Sequence, residues 1–426
     1  MGSRGSSGVL VILLVGYASF YLCRANVDAA LPLLHDAYDY DKTKLGLLSS
    51  IATAVYAIGK ITNGMLGDRI GGRRLMLLAM VGSIAATLAF GFSVGFFFFV
   101  LFAAVNRFFQ SGGWSGLVHV VSRWFPPGKH GAVMGALSTS YEIGNVVSLL
   151  LCGALVKMKL PWRALFIVNP ALFACVALLI YFTLRGEPTS TIDPRPPTID
   201  PRPSTADPRP STTDKLPLRE AIPFLIKNPS FWFALVLSVL LTFVRHGFLT
   251  WTPTFLTEVA RASGEGEGAV SASIAKSAIF PATGVVAALI VGRISDFFGP
   301  GKRTTVLAAS LFFHVIAVLW LAHGHLHGTT SAMLAIGACG IFLLGPYSLM
   351  AGAIALDVAG TRAAATAAGF IDGAGYLGAS LVGIVLGGVA QKYGWSASFD
   401  VVAFAGFSAM LVGIFATIHS RKLPRS

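Results

Sequence analysis

Charge is what this chain of 426 residues has least of. Only 12% of the residues are Asp, Glu, Lys or Arg, about half the ~25% usual in soluble domains, while 54% are hydrophobic. That balance excludes a water-soluble enzyme. The formal net charge of +13 does not point to nucleic acid either, because so few charges make no binding surface for it. The four cysteines, Cys23, Cys152, Cys175 and Cys339, lie in apolar stretches with neither zinc spacing nor a disulfide framework. They read as buried reduced thiols. No phosphate-cradling Walker loop, nucleophile elbow or metal cluster is visible. ATP-driven pumping and hydrolysis therefore have no residues to carry them, and no cofactor is expected.

What is present is apolar sequence in long runs. They fall at roughly 8–34, 44–67, 73–92, 95–122, 131–156 and 162–184, then at roughly 229–256, 270–295, 304–323, 331–355, 363–390 and 396–418. Each is of the length a membrane-spanning helix needs, about 20 residues. The first is too long for a signal-peptide core. It also makes the myristoylation-like start Met1-Gly2-Ser3-Arg4-Gly5-Ser6 superfluous as an anchor. The expected fold is an all-α membrane protein of twelve transmembrane helices in two six-helix halves. The N-terminal bundle would take residues 1–185 and the C-terminal bundle residues 229–426.

Between the halves, residues 186–228 repeat a seven-residue unit: Thr191-Ile-Asp-Pro-Arg-Pro-Pro, Thr198-Ile-Asp-Pro-Arg-Pro-Ser, Thr205-Ala-Asp-Pro-Arg-Pro-Ser. Proline at that density forbids helix, and no unit carries core-forming residues. A disordered cytoplasmic tether is expected. Basic residues set the orientation. With both termini inside, Arg4, Arg69, Arg73, Arg74, Arg123, Lys129, the tether arginines, Lys302, Arg303, Arg362, Arg421, Lys422 and Arg425 all fall on the cytoplasmic side, a strong positive-inside bias. A plasma (inner) membrane location follows, with the lipid bilayer as a partner.

The halves repeat each other. Gly64-Met-Leu-Gly-Asp68-Arg69-Ile-Gly71-Gly72-Arg73-Arg74 follows the second span. Gly292-Arg-Ile-Ser-Asp296-Phe-Phe-Gly299-Pro-Gly-Lys302-Arg303 follows the eighth, 228 positions on. Parallel repeats of this kind build one large class of transporters. Glycines permit a tight turn here, the Asp suits a neighbouring helix N-terminus, and the arginines suit the anionic headgroup layer. Gly64, Asp68, Arg69, Gly71, Arg73, Asp296 and Arg303 are the candidate gating residues. The loop resembles a characteristic mark of the major facilitator superfamily, whole once and degraded once.

Charged side chains within spans cost several kcal/mol and mark pathways or sites. Arg24 lies in the first span, with Tyr17 and Tyr21 at i−7 and i−3 on one helical face. Lys60 lies in the second span beside Tyr56. Arg245 lies in the seventh, 221 positions after Arg24 and so near its repeat-equivalent place. Cations converging in a cavity of low dielectric call for an anion. A phosphate monoester, with about −1.5 to −2 charges and three acceptor oxygens, suits the bidentate grip of arginine. Internal pairing is the alternative: Arg24 with Asp28, and Arg245 with Asp372 or Glu142. His246 sits next to Arg245, and adjacent helical residues point about 100° apart, so it is expected to face elsewhere. His323, His325 and His327 read as a solvated loop.

Three further runs sharpen the resemblance: Gly16 to Pro32 (G-Y-x-x-F-Y-x-x-R-x-N), Tyr56 to Lys60 (Y-A-x-x-K) and Arg245 to Leu256 (R-x-G-x-x-x-W-x-P). With the eleventh-span stretch Ala367–Gly378 they are similar to the organophosphate:phosphate antiporter family, which includes glycerol-3-phosphate and hexose-phosphate transporters. The resemblance implies that Arg24 and Arg245 bind phosphate, supported by Lys60, Tyr17, Tyr21, Tyr56 and Tyr376. Tyr141 and Asp372 complete the candidate substrate site.

The chain departs from the family at Tyr141-Glu142, at Gly113-Trp114-Ser115-Gly116 and at Arg107. The last stands where the family often has a small residue, and serves either a second anionic group or a structural or gating role. The implied activity is uptake of a sugar phosphate or glycerol phosphate in exchange for inorganic phosphate, by a monomer. The empty site would hold unpaired cations, so that only the loaded carrier crosses. The rivals are a proton-coupled organic-anion symporter of the same superfamily and a transporter-like sugar-phosphate receptor.

Overall fold

The computed structural model describes residues 3–125, 130–184, 218–298, 303–324, 328–350 and 354–422. The side chains of Asp68, Asp296 and Arg303 lie outside that set, as do His325, His327 and residues 186–217 of the expected tether.

The described elements are helices: α1 (Ser3–Ser19), α2 (Ala25–Tyr38), α3 (Lys42–Ile70), α4 (Gly72–Phe92), α5 (Phe96–Trp124), α6 (His130–Lys157), α7 (Val168–Thr183), α8 (Leu218–Ile226), α9 (Pro229–Ala262), α10 (Ala269–Lys276), α11 (Ile279–Phe298), α12 (Arg303–His323), α13 (Gly328–Leu349), α14 (Ala355–Ala379) and α15 (Val382–Lys422), with 3-10 turns at Phe20–Cys23 and Trp162–Phe166. Eleven apolar stretches among them are long enough to cross a membrane. The last, Thr366–Ile418, has 53 residues. As a continuous helix it would run about 80 Å, against a hydrocarbon core of about 30 Å. It turns back at Gly394, whose φ of 85° is left-handed, and so crosses twice. Twelve crossings result.

Helix starts follow from sequence. Asp41 caps α3 by accepting from the Lys44 amide over 2.7 Å. Asn228 caps α9 by accepting from Ser230 over 3.0 Å, with Pro229 in the first turn, where a missing N–H costs nothing. Small residues set the packing, as they do where lipid removes any hydrophobic drive between helices. A Cβ on Gly72 of α4 would lie 2.6 Å from the Gly116 carbonyl of α5, and one on Gly378 of α14 would lie 2.8 Å from Val239 of α9.

The tail of the expected tether differs. Residues 218–226 form α8, with Ala221 and Leu225 buried against α14 and α9. Leu218, Ile222 and Leu225 recur at helical spacing, a pattern that the proline-rich units before them overshadow.

The end of the bundle opposite the termini, the far end, is clasped between halves. Arg261 of α9 donates to Asp36 over 2.5 Å. Lys42 of α3 pairs with Glu258 of α9 at 3.0 Å, and its amide donates to Gln391 over 3.1 Å. Just inside, Gly46 of α3 and Gly383 of α15 press backbone against backbone.

Candidate functional site

The first span is not one helix. α1 ends at Ser19, a 3-10 turn covers Phe20–Cys23, and α2 resumes at Ala25, leaving Arg24 at the break with φ −114° and ψ −58°. Unwound backbone at membrane depth survives only where protein supplies the missing hydrogen bonds. Here α5 supplies them. Asn106 and Gln110, one turn apart on one face, donate to the freed Cys23 carbonyl over 3.1 and 2.8 Å. Gln110 then uses its other end to accept from Arg24 Nε over 2.9 Å. One side chain thus holds both the break and the cation. Sequence reading passed over Gln110 and Asn106. Two amides four apart in an apolar span were the signal.

The guanidinium of Arg24 donates to the Tyr21 hydroxyl over 3.1 Å and lies 4.4 Å from the Tyr56 ring centroid. Tyr21 also packs on α6, where a Cβ on Gly144 would lie 2.9 Å from its own Cβ, one turn from the Tyr141 that faces Arg245. Tyr17 packs edge-on to Trp114 at 4.9 Å and lies 6.2 Å from Tyr21. Arg245 sits in unbroken α9, its guanidinium 5.2 Å from the Tyr141 ring and 5.0 Å from the Tyr347 ring. Such faces attract a desolvated cation by up to about 2 kcal/mol. Lys60 lies 4.6 Å from the Tyr376 ring, which itself lies 4.6 Å from that of Tyr56. The nine candidate substrate residues, Tyr17, Tyr21, Arg24, Tyr56, Lys60, Tyr141, Arg245, Asp372 and Tyr376, are therefore brought together around one centre, and Tyr347 joins them unforeseen. His246 lies at its edge, its ring 5.4 Å from Tyr376 and Nδ1 3.1 Å from the Thr242 carbonyl.

The expectation of unpaired cations in the empty site does not hold. Lys60 is paired with Asp372, Arg245 with Glu142 at 3.0 Å and Arg107 with Asp28 at 3.8 Å. Bare cations in so dry a place are too costly, and each of three has drawn a carboxylate from a neighbouring helix. Asp28 therefore serves Arg107, not Arg24. Among the described residues Arg24 is the site cation without a carboxylate. Four cations and three acids leave one positive charge.

The candidate gating loop also differs in part. Gly71 makes the turn with φ 83°, as the glycine pattern predicts, and Arg73 takes partners within the protein. It donates to the Leu184 carbonyl and, over 2.7 Å, to that of Tyr181, so it caps the last turn of α7, where unsatisfied carbonyls and the dipole favour a cation. Arg69 is exposed and Gly64 faces open space.

The family profile described as Major Facilitator Superfamily matches residues 13–383. The chain belongs to the Major Facilitator Superfamily. This is a superfamily of transporters rather than enzymes, and the twelve crossings are its fold. Relatives within it include a probable hexose phosphate transport protein of Chlamydia muridarum, 27% identical over 409 residues, covering 93% of this chain and 87% of that one. The glycerol-3-phosphate transporter of Bacillus subtilis is 27% identical over 401 residues, covering 92% and 87%. The membrane sensor protein UhpC of Salmonella typhimurium is 28% identical over 413 residues, covering 95% and 90%. A bacterial homologue of the human lysosomal transporter Spinster, in an inward-facing, unoccupied conformation, superposes with a TM-score of 0.79 at 18% identity over the whole of both chains.

Proposed function

We propose that this facilitator carries a phosphorylated small organic molecule, a sugar phosphate or glycerol phosphate, across the plasma (inner) membrane in exchange for inorganic phosphate. It works as a monomer with both termini cytoplasmic, the halves rocking about the midplane site. The observation that carries this reading is that each half sets one arginine among tyrosines, Arg24 against Tyr21 and Tyr56 and Arg245 against Tyr141 and Tyr347. A tetrahedral anion between them bridges the halves and satisfies the one uncompensated positive charge. Relatives named for hexose phosphate and glycerol 3-phosphate supply the substrate class. Exchange follows because the empty carrier must close over Arg24 without an anion, a desolvation cost of several kcal/mol.

Proteoliposomes loaded with inorganic phosphate should take up labelled hexose phosphate or glycerol 3-phosphate, and liposomes without internal anion should not. Equal uptake from both would sink exchange. A receptor reading is favoured by the relatives named as membrane sensor proteins, and substrate turnover, once measured, would dismiss it.

A further inference from the structure

The Arg245–Glu142 pair is the most enclosed charged pair of the site, with side-chain exposures of 4% and 6%. It is also only half satisfied on each side. Glu142 uses Oε1 for Arg245, and its Oε2 is buried with no hydrogen-bond partner. Arg245 uses Nη2 for Glu142, and its Nε is likewise buried without a partner. Buried polar atoms are seldom left so. The two vacancies are complementary: a guanidinium N–H awaiting an acceptor, and a carboxylate oxygen awaiting a proton. A phosphate oxygen meets the first need. It cannot do so beside an ionised Glu142 without setting a dianion against a carboxylate in a place that water does not screen.

We propose that a proton enters with the substrate and that Glu142 receives it, so that Arg245 turns from a neutralised carboxyl to the phosphate. The inference rests on the phosphate-binding reading above and adds what that reading lacks, a second bound species. In the empty site the pair is Arg245 cation with Glu142 anion. In the loaded site Glu142 is the neutral acid, the proton coming from water, and the positive charge of Arg245 faces the anion alone.

The charged and titratable groups around Glu142 fit this assignment. Arg245 comes from α9, Tyr347 from α13 beside that arginine, Tyr21 from the broken first span, against Gly144 of α6, and Tyr141 from α6 itself. Of the other helices on α6, α10 commits Lys276 to Glu265 at 3.6 Å, and on α11 Arg293 is exposed, with Asp296 near its end. Asp28 on α2 and Arg107 on α5 hold each other. Asp372 is a weaker candidate for the proton, being 28% exposed and bound to Lys60.

The test is calorimetric titration of the purified full chain with inorganic phosphate at about pH 8.5, where that probe is already a dianion. Two buffers of different ionisation heat count the protons taken up. The wild type should take up about one proton more per phosphate than Glu142→Gln. Its affinity should fall about tenfold per pH unit as pH rises, while that of Glu142→Gln stays level. Should the variant not fold, sulfate replaces phosphate in the wild type as a dianion of the same shape with no proton to gain: its affinity should fall with pH in the same way, and a level one overturns the proposal. Equal proton counts in wild type and variant overturn it too, leaving phosphate transport standing. No phosphate bound by the wild type at any pH removes the function and the proposal together.

Discussion

Glu142 of α6 and Arg245 of α9 meet at 3.0 Å across the boundary between the two halves. On the proposed function, the contact that neutralises Arg245 is thus also a tie between the halves that rock. Lys60 of α3 and Asp372 of α14 make a second such pair between the halves. Under that proposal binding and rocking draw on the same side chains, since an anion that takes over Arg245 or Lys60 also loosens an inter-half tie.

Arg24→Ala should abolish phosphate binding and transport while the chain stays folded, because its anchor Gln110 still holds the Cys23 carbonyl. Arg24→Lys should recover only a minor part, a point charge replacing a two-pronged donor. Uptake by proteoliposomes, with detergent-solubilised chain monodisperse by size exclusion, checks both.

Lys60 and Asp372 should be coupled in stability. Removing either partner leaves the other charge unpaired, at about 3–5 kcal/mol where burial is complete and less here, since both are partly exposed. Lys60→Met with Asp372→Leu should cost less than either single change. A double-mutant cycle of unfolding midpoints measures it, and strict additivity would count against a coupled pair.

The far-end clasp should be lockable. Cysteines replacing Asp36 and Arg261 should be bridged by a short, reducible bis-thiol linker, since an arginine arm spans more than a disulfide's reach, and the bridge should stop transport until it is reduced. Uptake before and after reductant is the measurement.

Arg73→Ala should fray the end of α7 by about 1 kcal/mol, the worth of a helix cap. Hydrogen exchange at residues 180–184 should quicken, with exchange elsewhere in the N-terminal half unchanged. A faster carrier with an intact α7 would instead favour a gate at this loop.

Most of the architecture was legible because membrane spans announce themselves by length. The candidate site was legible because a charge in an apolar run has few reasons to be there, so Arg24, Lys60 and Arg245 stand out singly. Their partners do not. Which acid meets which cation depends on how helices face one another, and spacing along one helix misleads: Asp28, one turn from Arg24, goes to Arg107 on α5. The break at Arg24 was also hidden, since Gly16 to Pro32 reads as continuous apolar helix and what sustains the interruption lies more than 80 positions away on α5. α8 was missed because its three apolar positions follow a run of prolines.

The meeting of Gly46 with Gly383 has a mechanical corollary. With backbone against backbone, the far end has no slack to take up a single methyl group. A side chain at either position acts as a doorstop, holding the far end ajar and shifting the population of carriers toward that face without touching the charges at the centre. Which side of the membrane the empty carrier shows at rest is thus set, in part, by two hydrogens where any other residue would place a carbon.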